Sequence, residues 1–362
     1  MKSLSQLIPA VGLGLLALTQ AAAAQEALHA MQTVKLERGA KQYIGALLAE
    51  DAENYVLLQR DGRMKVVSRS GSSRPTPLLD SFAPFTAHTM QEALKAEFGK
   101  AYEVSQTEHY LVVHPVGKAR QCADPFEEQY INARQYFEIR GVPTRNPDFP
   151  LVAVVLNTRG EFDRFLENYQ PENAHDQVLG YYSPRSNRTI TYDQSSGRSG
   201  QRNNMDTLIH EATHQIAFNT GIHSRFSPMP RWFTEGLATM FEAPGVHSSV
   251  THPNLQQRFN KKWLSYVRSK SRPGESSGVL SELISSDELF RSNPERAYGY
   301  SWALTFYLAE TQPEKYAQYV RRVSQRTRFR DYSSQARIED FAKIFGNDLT
   351  DLEARMSRFL LE

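Results

Sequence analysis

Apolar and polar residues alternate through "KQYIGALLAEDAENYVLLQRDGRMKVVSRS" (41–70), and Asp61-Gly62 interrupts the alternation where a tight hairpin turn would sit. Period-two patterning of this kind predicts strands with one covered face, so 31–75 reads as a small, barrel-like all-β domain. "SGSSRPTPLLDSFAP" (70–84) is rich in Ser, Pro and Gly and reads as connecting chain, with the linker set at 76–88.

The pattern then changes. "TMQEALKAEFG" (89–99) has helical period, "HYLVVHP" (109–115) has the length and composition of a strand, and a second helix is expected over roughly 124–140. "PLVAVVLN" (150–157) is a valine-rich strand candidate, followed by a helix over "RGEFDRFLENY" (159–169). "GYYSP" and "NRTITYD" are short β-prone stretches around the turn "SPRSN" (183–187). From about 203 onward nearly everything has helical period. Strands first and helices afterwards predict an α+β domain over 89–362, with an antiparallel or mixed sheet beside a helical half.

The first residues stand apart from this fold. Met1-Lys2 precedes the apolar run "LIPAVGLGLLAL" (7–18), and "TQAAAAQEA" offers small residues for a signal peptidase. Residues 1–24 therefore read as a signal peptide, and the protein is expected to be periplasmic or secreted, with no stable membrane insertion after cleavage. A membrane anchor is the alternative reading. Cys122 is the only cysteine, which rules out an internal disulfide and suits a buried small hydrophobe. A net charge of +2 gives no nucleic-acid footprint. Oligomeric state is not legible.

Candidate chemistry lies in "MDTLIHEATHQIAFNTG" (205–221), a helix expected from about Asn204 to Thr220 and stopped by Gly221. At about 100° per residue, Met205, Ile209, Ala212 and Ile216 form an apolar stripe roughly 60° wide, and His210 and His214 lie about 40° apart on the other side. Two imidazoles one turn apart can share one ion at about 2.0–2.1 Å. Glu211 is rotated about 100° from His210, free to address a bound water instead of the metal. A structural histidine pair beside a solvated glutamate is the plain alternative, and a third ligand would decide. Downstream, "SPMPRWFTEGLATMFEA" (227–243) reads as a second helix that can return antiparallel and bring Glu235 to the histidines. Gly236 is expected where those two helices approach closely. Glu235 as an exposed helical glutamate stays open, and Trp232 reads as core.

"HEATH" followed by "WFTEGLATMFE" resembles the gluzincins, zinc metallopeptidases with HExxH and a glutamate third ligand, and within that clan an uncharacterised bacterial domain family. The resemblance spans roughly 105–362. It implies a gluzincin-like catalytic domain holding one Zn2+ per chain on His210, His214 and Glu235, with Glu211 as general base and acid. It implies a peptide or protein substrate, hydrolysed by a metal-activated water. Tyr298, three residues before Ser301 at the start of a helix, matches the catalytic tyrosine of aminopeptidase-like members, and Tyr300 is second choice; aromatic packing is the alternative for both. Gluzincins extend the edge of a sheet with the substrate, which assigns "LGYYSPRSNRTITYD" (179–193) to peptide binding and Tyr181, Tyr182 and Tyr300 to substrate contact. A plain hairpin is the other reading. "GYYSP" lacks the acid with which aminopeptidases grip a free amine, which points to an endopeptidase or a narrow-substrate enzyme. Some gluzincins place an aspartate four residues after the third ligand to hold a histidine; here that position is Thr239. Asp206 is the candidate replacement, with a helix cap as its other reading, and Glu242 reads as helix-pairing or as lying behind the ligands. His223, His247 and His252 are expected on the surface or in loops. The rival function is a zinc-binding, peptidase-like scaffold that captures peptides or cell-envelope partners without cleaving them.

Overall fold

A computed structural model describes residues 31–361, apart from 170–178, 194–197, 249–251, 253 and 274, and apart from the side chains of 168, 169 and 198–204. The expected signal peptide (1–24) lies outside the described residues. The chain divides into two compact units, one ending at Thr86 and one beginning at Ala87.

In the first unit β1 (Gln32–Arg38), β2 (Lys41–Glu50), β3 (Asn54–Leu58), β4 (Met64–Ser68) and β5 (Thr76–Ser81) form one antiparallel sheet in the order β4-β3-β2-β1-β5. Gly62 takes the left-handed conformation (φ 82°) in the β3–β4 hairpin that Asp61-Gly62 announces. Val34, Leu36, Tyr55, Leu57 and Val67 form a small core. Two expectations need correction. The end strands β4 and β5 do not pair with each other, so the sheet is open rather than barrel-like. Residues 76–81, assigned to a linker, are β5, because the backbone of Pro77 and Ser81 finds partners on β1 despite weak β patterning.

The second unit is α+β, as its patterning predicts. β6 (Tyr102–Gln106), β7 (Tyr110–Pro115), β8 (Leu151–Leu156), β9 (Gly180–Ser183) and β10 (Arg188–Tyr192) form a mixed sheet in the order β6-β7-β8-β10-β9. β7, β8 and β10 run parallel; β6 and β9 close the two sides antiparallel. Every residue of β7 and β8 is buried, which explains their unbroken apolar runs. β6 escaped the pattern analysis because its polar "YEVSQ" is half-exposed at one edge. The helices are α1 (Ala87–Phe98), α2 (Ala119–Ile139), α3 (Arg159–Tyr169), α4 (Arg198–Asn219) and α5 (Arg231–Phe241). They continue with α6 (Lys261–Lys270), α7 (Val279–Ser285), α8 (Pro294–Thr311), α9 (Pro313–Ser324), α10 (Ser334–Phe345) and α11 (Leu349–Leu361).

α4 packs against α2, against β9 and β10, and against α5, while α5 packs against α8. Leu208, Ile209, Ala212, Ile216 and Ala217 are buried, but Met205 is 42% exposed, so the apolar stripe starts one turn later than the pattern suggests. Gly221 (φ 89°) follows the end of α4 as expected. Gly236 makes a close approach, yet not to α4: a Cβ there would fall on the Ser301 carbonyl and Thr305 Oγ1 of α8. Trp232 is fully buried, stacked on Tyr319 at 5.7 Å. Cys122 is buried too, and burial pushes its thiol up to about 11. Among the described residues no helix is long and apolar enough to cross a membrane.

Candidate metal centre

His210 and His214 project from one side of α4, and α5 returns across them to bring in Glu235. His210 Nε2 and His214 Nε2 are 3.2 Å apart, and Glu235 Oε2 lies 3.4 Å from the first and 3.5 Å from the second. These three edges have a simple reading. An ion bound tetrahedrally at about 2.0–2.1 Å separates its ligand atoms by about 3.3–3.4 Å, so the triangle has the size that one zinc would need. A plain hydrogen bond between two imidazoles would fix one edge, not three.

The other ring nitrogen of His210 is held. Its Nδ1–H donates to Glu242 Oε1 at 2.8 Å, which turns Nε2 toward the triangle. Asn260 Nδ2 donates to Glu242 Oε2 (2.8 Å) and to the Thr239 carbonyl (2.9 Å), anchoring the carboxylate to α5. Glu242 therefore takes the orienting role that Asp206 was considered for. Asp206 is exposed and lies two turns inside α4, which starts at Arg198, so it is not a cap either. Glu235 and Glu242 lie seven residues apart, two helical turns along one side of the α5 region, and that spacing carries the signal.

Burial favours the neutral form of His210, but hydrogen bonds to Glu235 and Glu242 outweigh it and raise its pKa well above the ordinary histidine value. Burial likewise opposes ionisation of Glu235, and the two histidines hold it well below the usual carboxylate range. Glu211 differs from both. Burial is the main cause that raises its pKa, with Glu235 adding to it, against the pull of His210, His214 and the Tyr182 amide. A carboxylate raised in this way holds a proton more readily than a free one, which suits a group that must accept a proton and return it.

β9 is the edge strand beside this helix, as expected of 179–193. Tyr182 N–H points away from β10 and donates to Glu211 Oε2 at 2.7 Å. Gly180 permits this closeness: a Cβ there would lie 2.7 Å from Thr207 Cγ2 and 2.9 Å from Glu211 Cγ. The hairpin is pinned from beneath, since Asn187, in the left-handed region (φ 58°), exchanges amide hydrogen bonds with Asn219 on α4. Tyr182 donates its hydroxyl to Asn187 Oδ1 (2.9 Å) and is only 5% exposed, so its side chain supports the hairpin more than it faces a substrate. Tyr181 and Tyr182 both line a groove of about 770 Å³ over His210, Glu211, His214 and Glu235, a size suited to a small ligand or peptide segment.

Tyr298 also lines that groove, stacked on Trp263 at 5.9 Å and edge-on to Phe290 at 5.4 Å. Burial, then the Glu235 charge, raise its pKa, while the Arg231 charge opposes them. Tyr300 is a correction. It is buried, its hydroxyl bonds to Ser271 Oγ, and it is not among the groove residues, because two residues along α8, about 200° of rotation, turn the side chain away. His223 lies in the α4–α5 connection, a loop as expected, but not at the surface: it is 2% exposed, wedged between Phe218 and Phe233 at 5.0 Å from each, and burial keeps it neutral. His247 and His252 are half-buried.

The far wall of the groove carries residues that motif reasoning did not reach. Phe218 comes from α4, Phe226 and Met229 from the α4–α5 connection, and Phe329 from the α9–α10 connection. Phe329 adopts φ 54°, a conformation rare for an aromatic residue, and its N–H donates to the Phe226 carbonyl at 2.7 Å. A second metal-capable group among the described residues, Glu108, His109 and Glu127, is better explained as a strut. Glu127 already accepts from Thr107 Oγ1, from His109 N–H and from His109 Nδ1.

No curated protein matches the chain. Residues 204–330, which hold the His210–His214–Glu235 triangle, Glu211, Glu242 and Tyr298, match the family described as a protein of unknown function, DUF1570, and so a DUF1570 domain is found at this part of the chain.

Proposed function

We propose that the chain is an exported zinc metallopeptidase of gluzincin type. The observation that carries this reading is the near-equilateral triangle of His210 Nε2, His214 Nε2 and Glu235 Oε2, with a separate carboxylate, Glu211, beside it. Two neutral nitrogen donors and one carboxylate suit Zn2+, and three protein ligands leave a fourth vertex for water or substrate. Zinc would supply Lewis-acid polarisation of a carbonyl and a bound water of lowered pKa.

The chain's own groups supply the rest. Glu211 takes a proton from the attacking water and returns it to the departing amine, and the Tyr182 N–H fixes its carboxylate toward the groove. The Tyr298 phenol donates to the developing oxyanion. His210 is kept in the tautomer that presents Nε2 by Glu242. The position of β9 at the end of the sheet, with Tyr181 and Tyr182 lining the groove, supports an extended peptide lying along that groove, with side chains against Phe218, Phe226 and Phe329. A signal peptide at 1–24 would deliver the enzyme to the periplasm or the medium.

The test is metal analysis joined to a peptide-library digest of the wild type and of Glu211→Gln. The proposal expects one zinc per chain in both proteins, cleavage by the wild type, and a loss of about 10²–10⁴-fold in the variant. Stoichiometric zinc with no product from any peptide would replace it with the capture scaffold.

A further inference from the structure

Arg231 opens α5 one turn before Glu235, and it is a costly residue to have there. Its Nε lies 3.7 Å from Glu235 Oε1, the oxygen not turned to the histidines, and its side chain is 44% exposed in the groove. An exposed i,i+4 pair at that distance contributes little to a helix. A guanidinium next to a metal-ligating carboxylate also competes with the metal for that carboxylate and repels a cation. A purely structural role therefore gains little and opposes the centre.

The surroundings hold the guanidinium in place without neutralising it. It sits over the Phe290 ring, 4.6 Å from the centroid, and lines the groove beside Tyr298, whose pKa its charge lowers. Asp287, the other acid in the groove, is committed elsewhere. Its carboxylate accepts from Arg337 Nη1 (2.7 Å) and Nη2 (3.1 Å), and from the backbone N–H of Arg231 (3.0 Å). Once Glu211 and Glu235 are set against a divalent ion, Arg231 is left as an unbalanced positive charge beside the reacting centre. A planar fork, stacked on a ring and partly screened from water, is the preferred partner of a carboxylate.

We propose that Arg231 receives a carboxylate of the substrate, carried by the residue adjoining the cleaved bond or the one after it. The short distance from Arg231 to Glu235 sets that limit, since an extended chain advances about 3.3–3.6 Å per residue. Two sources offer this chemistry: the free C-terminus of a peptide, or an Asp or Glu side chain within one. The inference rests on the metallopeptidase reading and names its substrate class.

The experiment uses matched N-acetylated peptides, one pair ending in a free carboxylate or an amide, the other carrying Glu or Gln next to the cleaved bond. In the wild type, removing the negative charge is expected to lower kcat/KM by roughly 10–100-fold, mainly through KM. Arg231→Leu should process both members of the responding pair alike, with zinc content and Tm retained, and Arg231→Lys should recover part of the preference. The responding pair identifies the source. Equal rates within both wild-type pairs, or a preference that survives in Arg231→Leu, would overturn the proposal. Calorimetry of the same peptides on Glu211→Gln and on Glu211→Gln/Arg231→Leu separates the two readings. Charge-dependent binding that needs Arg231, without cleavage by the wild type, removes the peptidase reading and keeps the anion site. Charge-independent binding removes the anion site whatever the wild type cleaves.

Discussion

His210 Nδ1 and Glu242 Oε1 meet at 2.8 Å across the gap between α4 and the end of α5. This contact joins a histidine of the triangle to the segment that supplies Glu235, so both helices must dock correctly before three donors can converge. Asn260 ties the same carboxylate to the Thr239 carbonyl. Glu242→Ala should lower zinc affinity by about 10–100-fold while leaving the helical content intact. Competition against a chelator measures it, and Asp206→Ala should bind zinc as the wild type does. Equal losses in both variants would remove the special place of Glu242.

Tyr298 and Tyr300 share a helix but not an environment. Tyr298→Phe should reduce turnover by roughly 10²-fold with zinc retained, because the phenol faces the groove. Tyr300→Phe should leave turnover intact and cost about 1 kcal/mol of stability through its bond to Ser271. Steady-state kinetics and denaturant titration of the two proteins would show whether the roles are reversed.

Gly236→Ala would push a Cβ into the Ser301 carbonyl and Thr305 Oγ1. Neither atom lies at the end of a flexible side chain, so α5 must shift away from α8, at a cost of about 1–3 kcal/mol. A thermal midpoint lowered by several degrees, together with weaker zinc binding because Glu235 moves with α5, is the expected result. Weaker zinc binding without loss of stability would mean that α8 does not set the position of α5.

Asp340 supplies a pH-dependent contribution away from the site. Burial alone would raise its pKa, but Arg322, Tyr332 and Arg326 hold it below the usual aspartate value. A depressed folded-state pKa stabilises above the unfolded value and is lost as pH falls through the folded one. Asp340→Asn should therefore cost about 2–4 kcal/mol at pH 7, with the gap to wild type narrowing below about pH 4. Denaturant midpoints at pH 7 and pH 3 read this out; a gap that widens in acid would reverse the assignment.

The sequence by itself determined the α+β order, the α4 and α5 helices and the residues that could form a triangle, because helical period and HExxH spacing are local properties of the chain. Gly221 after α4 and Asp61-Gly62 in the first hairpin were legible for the same reason: a left-handed backbone position selects its residue directly. Tertiary structure decided which side chains met. Glu242 rather than Asp206 holds His210, Gly236 serves α8 rather than α4, and Tyr300 turns away where Tyr298 faces the groove. Arg231, Phe226 and Phe329 border the same groove although the last two lie more than a hundred positions apart in the chain. Such contacts depend on how whole elements pack, and period and propensity say only which face of an element is buried, not which neighbour covers it.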